Sequence, residues 1–216
     1  NTMKYLEESN LVIGINPDPS RWEGVISPFS AEDSRWLFAI IFDGLREVTT
    51  KKITFAHAVT QNGQELYAAN DIFVGPANHI SAGYDILYRG KYERQSSSGV
   101  IISTGLGQSG WYKSVIAQLN GGAEFLHMNK PSYTAIGWSD QELSFAVREP
   151  YPSINSGADI VMGKIKLGES LKLRSCMPEN GVIFSDGMQE DAISFNSGTL
   201  VTITVAKKQG NLLVCS

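Results

Sequence analysis

From Lys51 onward the chain is a succession of short, strand-like segments broken by a single helix-length stretch, and this pattern most constrains the fold. Residues 53–59 are β-branched, aromatic and apolar, Asn62-Gly63 is a two-residue hairpin signal, and 65–74 follows as a partner strand. Residues 80–92 come next, with Tyr84, Ile86 and Tyr88 recurring at period two, then a polar Ser-rich turn at 95–99 and the apolar run 100–103. After the helix, segments 133–138, 142–148, 159–167, 170–175, 181–185, 192–195, 199–206 and 211–215 are each strand-sized and separated by turn residues. A chain that interrupts its apolar pattern this often buries its surface by stacking sheets. The expectation is a mainly β (α+β), antiparallel, sandwich-like fold. The one inserted helix is expected over 109–120, ended by Gly121-Gly122.

Residues 1–47 read differently. Residues 3–9 suit the end of a helix, and 11–15 is a short apolar run of buried-strand type. Asn16-Pro17-Asp18-Pro19-Ser20 then forbids regular structure, because two prolines fix φ and remove donors. A helix follows, with Ser30 as N-cap, Glu32 and Asp33 favouring the dipole, and Trp36, Leu37, Ile40, Ile41 and Leu45 on one face. This divides the chain into 1–47, an α/β remnant or connection, and 48–216, an all-β domain. The first residue is Asn1 rather than Met, so the chain is expected to be processed, tagged or cut from a longer one.

A net charge of −4 and a pI near 5.4 argue against nucleic acid or an anionic membrane as partner. The longest apolar run, 36–42, is too short to span a bilayer, and no secretion signal opens the chain. Cys176 and Cys215 lack metal-site spacing and read as reduced thiols of a cytoplasmic protein. His57, His79 and His127 are not spaced as metal ligands, and no metal site is expected.

The stretch 98–111 carries the most chemistry. A buried strand delivers Gly105 and Gly107 into a loop that runs into a helix N-terminus, where free N–H groups and the dipole attract an anion. Ser103, Thr104 and Ser109 add hydroxyls, and Trp111 a flat face. It is not a P-loop, a dinucleotide fingerprint of the βαβ type, or an esterase elbow, since the lysine, the glycine spacing and the order around the serine all differ. A glycine-rich strand-to-helix turn is equally common as a purely structural device.

This stretch resembles the "DG(V/L)I(V/I)STPTGSTAY" loop of NAD kinases. Ala69-Asn70-Asp71-Ile72 is similar to the family's "LNE" or "ND" motif, Asp186-Gly187-Met188 to its "DGQ", residues 143–150 to its "LSFRP" strand, and 13–29 to its "GVN.G..GFL" segment. Order and spacing agree over about residues 11–216. The resemblance implies a C-terminal β-sandwich-like domain that binds NAD as substrate, with ATP and Mg2+ used by the full-length protein to phosphorylate the adenosine ribose 2′-hydroxyl. It further implies a homodimer or homotetramer. Asn70 and Asp71 would hydrogen-bond the adenosine part, Thr104, Gly105 and the helix start from Ser109, Gly110 and Trp111 through Ser114 would contact the dinucleotide, and Ser81 would reach it across a subunit interface.

Departures accompany the likeness. The family's aspartate before the strand is Ser98 and its DGQ glutamine is Met188, two positions at which the resemblance still implies contact with the dinucleotide, and Gln108 stands in the altered loop. The "GGDG" segment that carries the family's catalytic aspartate is absent from these residues. It belongs a few residues upstream of the region that Asn1 opens, which suggests truncation and an inactive isolated chain. A catalytically silent nucleotide-binding paralogue and a lipid- or sugar-directed kinase of the same superfamily remain as alternatives; no apolar channel signature favours a lipid. Asp18, between two prolines in a rigid loop, is a lesser candidate to face the nucleotide site across the domain boundary.

Overall fold

The structure, a computed structural model of the chain, describes residues 1–43 and 49–214, so Leu45 and Cys215 lie outside the described residues. A 3-10 turn (Thr2–Tyr5) precedes β1 (Leu11–Val12), β2 (Ile15–Asn16), β3 (Phe29–Ser30) and helix α1 (Asp33–Asp43). Then come β4 (Thr50–Thr60), β5 (Glu65–Ala68), β6 (Asp71–Pro76), β7 (Ala82–Tyr88), β8 (Lys91–Ser97) and β9 (Val100–Ser103). A second 3-10 turn (Leu106–Ser109) leads into α2 (Trp111–Phe125). The chain ends with β10 (Glu142–Val147), β11 (Met162–Lys166), β12 (Leu171–Ser175), β13 (Gly181–Ser185), β14 (Met188–Ser194) and β15 (Leu200–Leu213).

These strands form the expected sandwich. A seven-stranded sheet runs β5-β4-β15-β12-β7-β8, with β1 parallel to the far end of β15, and a six-stranded sheet runs β11-β10-β9-β6-β13-β14. All pairings within those two paths are antiparallel. Ala58, Tyr84, Ile86, Leu173 and Ile203 from one sheet meet Ile72, Val100, Ile102, Phe145 and Ile183 from the other in one buried cluster. The six-stranded sheet is buried on both faces, because α2 lays Tyr112, Val115 and Ile116 against Phe73, Ile101 and Ala146. That explains why β6 and β9 read as continuous apolar runs rather than alternating ones.

At the N-terminus the expected helical end is the 3-10 turn, which docks through Met3 into a cluster with Ile53, Phe55, Ala69, Leu106 and Leu212. Gly210 lies inside β15 because a Cβ there would approach Met3 Sδ to 2.5 Å. Ser30 and Asp33 form a reciprocal cap on α1: the Asp33 N–H donates to Ser30 Oγ (3.2 Å) and the Ser30 N–H to Asp33 Oδ2 (2.7 Å).

Several sequence expectations are corrected. The segment 65–74 is two strands in different sheets, and 95–97 is strand rather than turn. Gln95 and Ser97 are buried because the Tyr84 hydroxyl meets Gln95 Oε1 (3.0 Å) and Ser97 Oγ (2.7 Å). Residues 133–138 are not a strand, and 199–206 joins 211–213 in one long strand through a register shift between Val205 and Gln209. Helix α2 runs through Gly121 and Gly122 and stops one turn later. The Met128 N–H reaches Ala123 O (2.8 Å), the His127 N–H reaches Glu124 O (3.1 Å), and His127 itself adopts φ 53. A glycine ends a helix only where the chain turns left-handed, and here that position is His127.

Candidate functional site

The site is built around the place where the chain changes sheets. Leaving β5 in one sheet and entering β6 in the other takes the peptides of Ala69 and Asn70 out of both ladders, so their polar groups need partners from elsewhere. Asp186 supplies them. Its carboxylate accepts the N–H groups of Ala69 (3.0 Å), Asn70 (2.7 Å) and Asp71 (3.2 Å), and its own N–H donates to Asp71 O (2.9 Å). Asp186 and Gly187 are the two central residues of the β13–β14 hairpin, with φ of 53° and 71°, the left-handed pair that such a turn demands. On the carbonyl side, Thr104 donates its N–H to Asn70 O (2.9 Å) and its hydroxyl to Ala69 O (2.5 Å).

With the backbone tied, the side chains of Asn70 and Asp71 stay unclaimed: neither makes a hydrogen bond to another described residue. They line a cavity of about 710 Å³ together with Asp186 and Gly187. One wall is the start of α2, formed by Ser109, Gly110 and Trp111. Gly110 is the N-cap and no side chain caps the helix, so the first-turn N–H groups are not answered by a side chain. Trp111 is held flat by Phe73 (centroids 5.4 Å apart, planes at 19°), with the Arg148 guanidinium 5.2 Å from its ring.

The lip comes from the N-terminal segment, through residues 15–17 and 22–27. Asn16 is buried and shapes this loop, donating to Trp22 O (2.8 Å) and accepting from the Asp18 N–H (3.1 Å). Gly24 sits at φ 64, and a Cβ there would lie 2.7 Å from Asn16 Nδ2. Asp18 does not line the cavity; its carboxylate is spent on the Ser20 N–H and hydroxyl.

Burial, and then the charge of Asp186, push the Asp71 carboxyl up to about 6. Only 7% of Asp71 is exposed. Near neutrality it therefore exchanges between an acceptor-only carboxylate and a carboxylic acid that also donates.

Of the residues expected at a site, the structure brings together Asn70, Asp71, Ser109, Gly110 and Trp111. Thr104 is fully buried with its hydroxyl committed to the crossover. Gly105 is buried because a Cβ would meet Gly137 O at 2.0 Å, and the neighbouring Gly107 would meet Asn70 O at 2.1 Å. Ser98 lies in the β8–β9 turn, its N–H bonded to Arg148 O. Met188 opens β14 opposite Ser185, Ser81 is exposed ahead of β7, and Ser114 lines a different concavity. Asp186, Gly187, Asn16, Trp22 and Gly24 were not singled out as site residues. Both groups fall in segments that resemble the family, Asp186-Gly187 in the DGQ-like motif and the lip residues in 13–29, yet by residue type alone Asp186-Gly187 is an ordinary turn pair.

No model of a known protein family matches the chain, and no curated protein matches its sequence. Among solved structures it is similar to the yeast NADH kinase complexed with NADH, with a TM-score of 0.69 and 13% identity. The match covers 97% of this chain and 56% of that one, so the chain spans little more than half the length of its structural neighbour. The fold is that of an NAD kinase-like protein. No helix among the described residues is long and apolar enough to cross a membrane.

Proposed function

We propose that the cavity binds NAD or a related dinucleotide, and that the chain is the nucleotide-binding part of an NAD kinase-like protein. The observation that carries this reading is the unclaimed Asn70–Asp71 pair on the cavity floor, facing an aromatic plane and an uncapped helix start. An amide and a carboxyl suit the exocyclic amine and hydroxyls of an adenosine. The α2 N-terminus suits a pyrophosphate, and Trp111 offers an apolar wall. The amide atoms of Gln108, next to Ser109, are buried without a partner among the described residues. A group left that way costs about 1–3 kcal/mol, although Gln108 does not itself line the cavity. The structural neighbour holds NADH, which supports the same ligand class here.

In this reading ATP and Mg2+ serve a longer cytoplasmic, homo-oligomeric protein, with Ser81 contributing across its subunit interface. The test is a thermal-shift panel with NAD, NADP and ATP on the chain, repeated with Asn70→Ala and Trp111→Ala. A dinucleotide at a hundredfold over its Kd stabilises the folded chain by about 2.7 kcal/mol, and both substitutions are expected to reduce that gain. If millimolar NAD and NADP leave the melting temperature unmoved, the reading fails.

A further inference from the structure

Trp111 lines two concavities. The second, of about 690 Å³, runs along α2 and is closed on its other side by Val147–Pro150 with Val161 and Met162. On the helix, Val115, Leu119, Gly122 and Leu126 recur at the spacing of one face. Val115 also packs on the six-stranded sheet beside Tyr112 and Ile116, whereas Leu119 and Leu126 take no part in that packing. Leu119 and Leu126, with Met128 just beyond the helix, are 40%, 62% and 64% exposed, so α2 has an apolar side that the described residues leave uncovered.

Two details say what kind of occupant fits. Gly122 is helical, yet a Cβ added there would meet nothing within 4 Å. Glycine is the poorest helix residue after proline, and internal packing does not require it at this position. What it provides is depth in the groove. The second detail is charge. The guanidinium of Arg148 stands at the Trp111 end, and its one carboxylate contact among the described residues is the exposed Glu149 at 3.5 Å. Glu149 itself is held at φ 42, a conformation that side chains with a Cβ rarely adopt.

We propose that this groove binds an anionic amphiphile, its single apolar chain lying along the Val115–Leu126 stripe and its head at Arg148 beside Trp111. A concavity lined by α2 on one side and by Val147–Pro150 on the other suits one chain. A docking helix or a second copy needs a broad apolar face, and Gln118, Asn129 and Glu149 interrupt this one. The proposal does not depend on what the neighbouring cavity holds.

The test is calorimetric titration of the 216-residue chain with dodecyl phosphate below its micellar concentration. Inorganic phosphate and dodecyltrimethylammonium serve as parallel arms, and Gly122→Leu and Arg148→Ala as variants. The Cβ that Gly122→Leu adds meets nothing within 4 Å and leucine raises helix propensity, so the melting temperature of the variant is expected to stay level or rise. Saturable binding of dodecyl phosphate is expected, weakened roughly tenfold or more in Gly122→Leu, since losing contact with two methylenes already amounts to that. Arg148→Ala is expected to weaken it as well, inorganic phosphate alone to show no saturable binding, and the cationic amphiphile to bind far more weakly than the phosphate. Unchanged affinity in Gly122→Leu, or equal binding of the cationic amphiphile, overturns the proposal. So does concentration-dependent dimerisation that Gly122→Leu abolishes, which would make a second copy the occupant. The NAD thermal shift of Gly122→Leu, measured in parallel, separates failure here from failure of the dinucleotide reading.

Discussion

Replacing Asp71 with Asn is expected to make the unliganded protein more stable at neutral pH, although the residue lies at the centre of the proposed site. The Asp71 carboxyl has no hydrogen bond to another described residue, is 7% exposed, and faces the charge of Asp186. Its pKa of about 6 in the folded chain, against 3.8 for an unperturbed aspartate, corresponds to about 3 kcal/mol at 1.36 kcal/mol per tenfold change. The sign follows from which state holds the proton more tightly. With the folded pKa raised, the associated stability is fully present below pH 3.8 and is lost as the pH climbs through 6. Asparagine keeps the shape and never ionises, so the variant escapes that loss. At pH 7.5 it should gain up to about 3 kcal/mol, or about 6–12 °C for a domain of this size, and near pH 4 the two proteins should converge. Urea unfolding of both at pH 4, 5, 6 and 7.5 reads the difference directly. A variant no more stable than the parent at pH 7.5, or an advantage that grows as pH falls, would refute the electrostatic argument. The same substitution should weaken NAD binding, since a site residue that costs stability is retained for what it holds.

Asp186→Ala strands the N–H groups of Ala69, Asn70 and Asp71 and should cost about 3 kcal/mol or more in chemical denaturation, with Asp186→Asn losing less. Gly107→Ala drives a Cβ to 2.1 Å from Asn70 O; about 1–3 kcal/mol of destabilisation is expected, with NAD affinity falling alongside because the crossover must move. Lys4→Met removes a buried ammonium 2.8 Å from Asp191 and 2.6 Å from Ser185 Oγ, and about 2 kcal/mol should be lost at pH 7. Burial raises the Asp191 carboxyl, but hydrogen bonds from Lys4 and Tyr5 overcome it and hold it below the usual carboxylate range. Its stabilising contribution, present above the unfolded pKa, is therefore lost as pH falls through the folded value, and the Lys4→Met deficit should shrink in acid. Finally, the 216-residue chain, which contains no GGDG segment, should form no NADP from NAD, ATP and Mg2+ in a coupled assay; any sustained turnover would contradict this.

The sandwich was legible because sheet burial writes itself at period two: Tyr84 and Ile86 point inward and Leu87 outward, as read. What was not legible depends on partners distant in sequence. Between Leu66 and Val74 only Asn70-Asp71 hints at a turn, and no Gly or Pro breaks the run, yet the chain changes sheets there, because a carboxylate 115 residues downstream of Asp71 accepts the peptides that leave the ladder. Gln95 and Ser97 look like turn residues until Tyr84 offers them a hydroxyl.

The glycine-rich loop shows why a site is harder to read than a fold. Glycine marks any place where something must come closer than a Cβ allows, and the sequence does not say whether that something is a ligand or another stretch of the same chain. At Gly105 and Gly107 it is the chain, through Gly137 O and Asn70 O. The loop thus acts on the candidate site indirectly. By letting residues 104–107 pack against the crossover, it leaves Asn70 and Asp71 presented to the cavity and brings the start of α2 up beside them. The residues that looked like an anion cradle are the fastening of the floor, and the groups free to meet a ligand are those the fastening leaves unsatisfied.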